Sequence, residues 1–123
     1  MSNSTAALPR VLVVEDEYLI RMLLEDMLAD LGYAIAKAVG TIAEASQVAA
    51  TGAFDVAILD VNVDGEEIYP VADILAQLGL PFVFVTGYAE DILPAKYRSR
   101  PALQKPFQAE QLSATLAGLL ATA

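Results

Sequence analysis

Two short apolar runs in this chain end in acid. Val11-Leu12-Val13-Val14 passes directly into Glu15-Asp16-Glu17, and Val56-Ala57-Ile58-Leu59 passes into Asp60 and the polar turn that closes at Asp64-Gly65. A four-residue apolar run bounded by a turn reads as a strand covered on both faces. Strands of that kind belong to parallel sheets with helices on either side. Each run therefore delivers its terminal acid to the carboxyl edge of a sheet.

Between the runs the periodicity becomes helical. Ile20, Leu23, Leu24, Met27, Leu28 and Leu31 recur at the spacing of one helix face, and Gly32 supplies a stop. Residues 33–39 read as a second strand, and Thr41-Ile42-Ala43-Glu44 is a capping box opening a helix to about residue 50. The third strand is 54–59. Pro70, at a first helical position, starts a helix whose inward side includes Val71, Ile74, Leu75 and Leu78. Phe82-Val83-Phe84-Val85 is the fourth strand and leads into Thr86-Gly87-Tyr88. Pro94 stops any helix begun at 89–92 after about one turn. Pro101-Ala102-Leu103-Gln104 is a short fifth strand, and Leu112, Leu116, Leu119 and Leu120 mark a last helix. This alternation predicts an α/β fold: a doubly wound, flavodoxin-like, five-stranded parallel sheet in the order 2-1-3-4-5, its fourth helix short or irregular. In that order strands 1 and 3 are neighbours at the switch point, so Asp16 and Asp60 meet in one crevice.

Composition narrows the chemistry. At 123 residues the chain suits one domain, expected over 10–121 after a flexible N-terminal tail at 1–9 that lacks the marks of a signal peptide. The formal charge of −9 argues against DNA binding by general phosphate attraction. The local run Lys96-Tyr97-Arg98-Ser99-Arg100 reads as a solvated connection, with a partner-docking patch as the alternative. With no histidine and no cysteine, Ser-His-Asp triads, His-ligated zinc sites, thiolate metal sites, thiol nucleophiles and disulfides are excluded. Lack of cysteine fits a cytoplasmic protein. The longest uncharged stretch, 74–89, holds Gly79, Pro81 and Gly87 and falls short of the roughly 20 apolar residues of a membrane span, so no membrane insertion is expected.

Carboxylates brought together repel one another and call for a cation. Hard oxygen donors with no soft ligand nearby favour Mg2+. A carboxylate is also a nucleophile that can form an aspartyl phosphate, and phosphoryl transfer asks mainly for positioning and charge neutralisation. Thr86, ending strand 4, offers a hydroxyl; Lys105, ending strand 5, offers an ammonium that a cis Lys105–Pro106 bond would aim inward. Each of these residues alone also reads as an ordinary turn or cap residue. Together, four strand ends present acid, acid, hydroxyl and ammonium to one edge. Rival patterns fail on single residues. Asp60-x-Asn62-x-Asp64-Gly65 copies half a calcium loop, but Val71 stands where its bidentate Glu is needed. A haloacid-dehalogenase-type phosphohydrolase wants a second Asp where Tyr18 stands, and a flavodoxin-type binder wants a phosphate loop where Glu15-Asp16-Glu17 stand.

The motifs Val13-Val14-Glu15-Asp16-Glu17, Ile58-Leu59-Asp60-Val61-Asn62, Val85-Thr86-Gly87 and Gln104-Lys105-Pro106-Phe107 resemble those of bacterial response-regulator receiver domains. The resemblance implies that Asp60 accepts a phosphoryl group from a sensor histidine kinase or a histidine phosphotransfer protein. It implies that Asp16, Asp60 and the Asn62 backbone carbonyl hold Mg2+, with Glu15 assisting through water, and that Thr86 and Lys105 contact phosphoryl oxygens. Such a chain is a phosphoacceptor rather than a turnover enzyme. With no output domain after the last helix, it is expected to signal through a downstream protein target. A degenerate receiver that only binds proteins is the alternative.

Two departures stand out. Receivers usually carry an aromatic residue three positions before the lysine, where this chain has Ala102, and a proline where it has Asp64. With Phe82-x-Phe84-x-Thr86-Gly87-Tyr88, these features resemble the stand-alone subgroup nicknamed FAT GUY. Tyr88 and the segment 89–100 are then expected to take over the readout, the alternative being that Tyr88 only covers the edge of the core. The resemblance also implies that Tyr88, two residues past Thr86, governs water access to a phosphoryl group.

Overall fold

The computed structural model describes residues 8–87 and 93–122. In chain order the elements are β1 (Arg10–Val14), α1 (Tyr18–Asp30), β2 (Ala34–Val39), α2 (Ile42–Thr51), β3 (Val56–Asp60), β4 (Asn62–Val63), β5 (Glu66–Glu67), α3 (Tyr69–Leu78), β6 (Phe82–Thr86), β7 (Ala102–Gln104) and α4 (Ala109–Thr122). Five of the strands form one parallel sheet, ordered β2-β1-β3-β6-β7. With the small β4–β5 pair set aside, that is the order 2-1-3-4-5 read from the sequence.

The sheet explains why its strands are uniformly apolar. Val11, Val13, Val56, Ile58, Val83 and Val85 pack beneath α1 and α4 through Leu24, Leu28, Leu112 and Leu116. Alternate residues of the same strands, Leu12, Val14, Ala57, Leu59, Phe82 and Phe84, pack beneath α2 and α3 through Ala45, Ala49, Val71, Ala72 and Leu75. A strand covered on both faces has no polar side to show. The threonine half of the capping box forms, with Thr41 Oγ1 accepting from the Glu44 amide at 3.1 Å, while Glu44 Oε1 accepts from the Thr41 hydroxyl at 3.2 Å.

Several details differ from the expectation. Leu23 and Leu78 are 64% and 51% exposed rather than inward. The buried line of α1 is Leu24 and Leu28, four residues apart, and Leu23 lies about 100° round the helix from Leu24. The turn after Asp60 is a hairpin, in which Asn62 pairs with Glu67 and Val63 with Glu66. Asp64 (φ 53°) and Gly65 (φ 80°) supply the two positive φ values that a type I′ hairpin turn requires. After β6, residues 88–92, including Tyr88, lie outside the described residues. Beyond them the chain makes one 3-10 turn, Ala95–Tyr97, before β7.

The run expected as a solvated connection is not uniformly solvated. Lys96 and Arg98 are exposed, but Tyr97 between them is 3% exposed. Its ring stacks on Tyr69 (centroids 6.2 Å) and meets Phe82 (5.8 Å) and Phe84 (5.5 Å). Its hydroxyl donates to Asp73 of α3, a carboxylate that Lys96 also reaches at 2.7 Å. A tyrosine with only two free side-chain torsions buries a large ring at small entropic cost. Charges on either side hid it. Among the described residues, no helix is long and apolar enough to cross a membrane.

Candidate functional site

The site forms where the strands run out. Glu15 follows β1 and extends its ladder by one bond, its amide donating to the Val39 carbonyl at 3.0 Å. That keeps Glu15 inside the sheet, 1% exposed. Asp16, one residue on, has left the sheet and is exposed, and its carboxylate accepts from the Asp64 amide at 2.9 Å. The hairpin turn thus holds the second acid of the pair. Asp60 closes β3 and is 7% exposed. Oxygens from Glu15, Asp16 and Asp60 all lie within 4.8 Å of one another.

Lys105 completes the group. Its amide donates to the Thr86 carbonyl at 2.8 Å, which ties the end of β7 to the end of β6. Its ammonium donates to Glu15 Oε1 at 2.8 Å and to Asp60 Oδ2 at 3.2 Å. The Lys105–Pro106 peptide bond is cis. Thr86 ends β6 and is 7% exposed. Asn62, exposed, lines a cleft of about 480 Å3 together with Asp16, Asp60, Gly87 and Lys105. Ala102 sits exposed on the edge strand β7, paired with Phe84; its methyl cannot act as a swinging ring.

Burial pushes the Glu15 carboxyl up to about 7, with Asp60 adding repulsion while Lys105 and the Glu17 amide pull the other way. For Asp16, burial also opposes ionisation, but the Asp64 amide and the other donors around it outweigh that and hold it below the usual range. Lys105 is raised: burial disfavours its charge, and the bonds to Glu15 and Asp60 more than offset that. The cluster therefore pulls strongly on a cation, and among the described residues Lys105 reaches it. Three carboxylates with no nitrogen or sulfur donor form a hard-oxygen set that fits Mg2+.

Residues 11–117 match the response regulator receiver domain family. The chain belongs to that family. The transcriptional regulatory protein PdtaR of Mycobacterium tuberculosis is 34% identical over 116 residues, which are 90% of this chain and 57% of PdtaR. The receiver thus spans little more than half the length of the curated relatives it matches. SdrG of Sphingomonas melonis Fr1, known from a solution structure, is 45% identical with a TM-score of 0.82 over 94% of this chain and 99% of that one. The receiver domain of the sensor histidine kinase PA1611 from Pseudomonas aeruginosa shares the fold (21% identity, TM-score 0.78, 94% of this chain and 99% of that one). It was solved with a magnesium ion coordinated in its active-site cleft.

Asp64 and Tyr97 do more in this receiver than their sequence pattern announces. Asp64 registered as a turn residue, a rejected calcium-loop position and a departure from a family pattern, yet its amide fixes Asp16; the Asp64-Gly65 pair was the available signal for the hairpin. Tyr97 closes the 3-10 turn ahead of β7 and gave no periodic signal, being one aromatic residue in a cationic run.

Proposed function

We propose that Asp60 is the phosphoacceptor of a Mg2+-dependent response regulator. The observation that carries this reading is the Lys105 ammonium held between Asp60 and the buried Glu15 in a receiver fold. An Asp60 oxygen attacks the phosphorus of a phosphohistidine on a sensor histidine kinase or a phosphotransfer protein. The P–O bond forms as the P–N bond breaks, and the electron pair leaves with the imidazole nitrogen. Asp16, Asp60 and the Asn62 carbonyl would hold Mg2+, with Glu15 acting through water, and the ion supplies charge neutralisation. Lys105 and the Thr86 hydroxyl then contact phosphoryl oxygens, and loss of the group to water resets the chain. The outcome is a signal rather than a released product.

The cleft opens beside the exposed Tyr18, Leu19, Met22 and Leu23 of α1, an apolar strip suited to a partner helix. We assign the readout to the segment before β7, because Ala102 has no ring to move. Tyr97 anchors that segment to α3 through Asp73, and Tyr88 governs water access. The signal passes by contact to a downstream protein in the cytoplasm, without DNA binding.

Intact-mass measurement after incubation with acetyl phosphate and Mg2+ tests the reading. A gain of one phosphoryl group is expected, absent in Asp60→Asn and absent with a chelator. No gain, with acetyl phosphate or with a histidine kinase, would leave only a protein-binding module.

A further inference from the structure

Arg21 lies in the first turns of α1, its amide bonded to the Glu17 carbonyl at 2.9 Å. The side chain folds back toward the end of β1, and its Nη1 donates to the Glu15 carbonyl at 2.6 Å. The guanidinium carbon also sits 5.6 Å from the centroid of the Tyr18 ring. The Glu15 carbonyl belongs to the peptide that joins the two acids of the cluster. Turning that peptide would move Glu15 away from Lys105 and Asp16 away from the Asp64 amide, so a bond that fixes it orients both carboxylates.

The neighbouring loop makes room for this arrangement. A Cβ on Gly40 would stand 2.6 Å from Arg21 Nη1 and 3.6 Å from the Glu15 carbonyl oxygen. The Gly40 backbone lies outside the left-handed region, so glycine is needed there for space and not for a turn.

We infer that Arg21, seated against Gly40, is a positioning residue for the carboxylates that take Mg2+, acting through the peptide between Glu15 and Asp16. This inference rests on the metal-dependent phosphoacceptor reading above. Arg21 touches neither phosphoryl group nor metal in this role, and its effect appears in metal affinity rather than in the chemistry of Asp60.

The test uses the full chain and the variants Arg21→Gln, Arg21→Lys, Gly40→Ala and the double variant Arg21→Gln with Gly40→Ala. Titration calorimetry with Mg2+ alone gives affinity, urea unfolding gives stability, and acetyl phosphate gives the phosphorylation rate at limiting and saturating Mg2+. Gly40→Ala displaces only the free end of a flexible side chain, so it should fold as the wild type does. Mg2+ affinity should fall about tenfold in Arg21→Gln and in Gly40→Ala, the low end for losing an outer partner of a metal ligand. The double variant should be no weaker than either single one, and Arg21→Lys should keep most of the affinity. Saturating Mg2+ should restore the phosphorylation rate, which a generally loosened fold would not allow. Unchanged Mg2+ affinity in Arg21→Gln and Gly40→Ala, or losses that simply add, would overturn the inference while leaving the phosphoacceptor reading intact. Failure of the wild-type chain to bind Mg2+ at all would overturn both.

Discussion

Replacing Tyr97 with phenylalanine removes one hydroxyl and keeps the ring that packs on Tyr69, Phe82 and Phe84. The lost bond runs to Asp73, whose side chain is 44% exposed and keeps Lys96 at 2.7 Å. Water can replace the missing donor, so the cost at pH 8 belongs at the low end for a bond to a charged group, about 1–2 kcal/mol. For a chain of this size that lowers Tm by roughly 3–8 °C. Tyr97 is pushed up to about 12, first by burial and then by Asp73 beside it. A folded-state value above the ordinary 10 means the folded chain holds the phenolic proton while the unfolded chain releases it. The stabilisation is complete below pH 10 and is lost as pH rises toward 12, by about 1.4 kcal/mol per pH unit. The Tyr97→Phe variant has no phenol there to titrate. Urea unfolding followed by circular dichroism at pH 8, 9.5 and 11 should therefore show the wild type ahead at pH 8 and the two proteins nearly equal at about pH 11. Equal stabilities at pH 8, or a gap that persists unchanged at pH 11, would refute the account of Tyr97 as a buried proton holder tied to α3.

Three further outcomes follow from the site. Glu15 is raised from 4.5 to about 7, so its contribution is complete below pH 4.5 and is lost as pH rises through 7. Without divalent cations the wild type should lose on the order of 3 kcal/mol over that window relative to Glu15→Gln in urea unfolding; parallel pH profiles would contradict this. Lys105→Met leaves Glu15 and Asp60 without their ammonium, which should cost about 3 kcal/mol in the cation-free protein. Mg2+ should then raise Tm more in the variant than in the wild type, and equal shifts would count against the charge balance described. Asp64 has a φ of 53°, so Asp64→Val should lose about 1–2 kcal/mol while Asp64→Asn stays near the wild type; matching urea midpoints for the two variants would remove the hairpin argument.

What the sequence revealed and what it hid have physical reasons. Continuous apolar runs at 11–14 and 56–59 suit strands covered on both faces, and their alternation with helical patterns under right-handed crossovers made the sheet and its order legible without coordinates. Strand ends carry their polar residues to the same edge, which is why Glu15, Asp16, Asp60, Thr86 and Lys105 could be grouped from sequence alone. The hairpin was lost because Asn62, Val63, Glu66 and Glu67 make two strands of two residues each, too short for an alternation pattern to register. Tyr97 was lost because burial by a 3-10 turn leaves no period in the chain, and the flanking Lys96 and Arg98 made the segment look solvated. Arg21 was lost for a different reason: its partner is a backbone carbonyl, and side-chain patterns do not announce such contacts.

In the proposed function the carboxylate of residue 60, and no other acid of the cluster, takes the phosphoryl group. Treating the chain with acetyl phosphate and Mg2+, reducing it with borohydride and mapping the peptides by mass spectrometry tests this at the level of one residue. An acyl phosphate at Asp60 should be converted to homoserine at that position, with Glu15 and Asp16 unchanged. Homoserine at position 16, the corresponding reduced residue at position 15, or no reduced residue in a chain that had gained phosphoryl mass, would contradict the account.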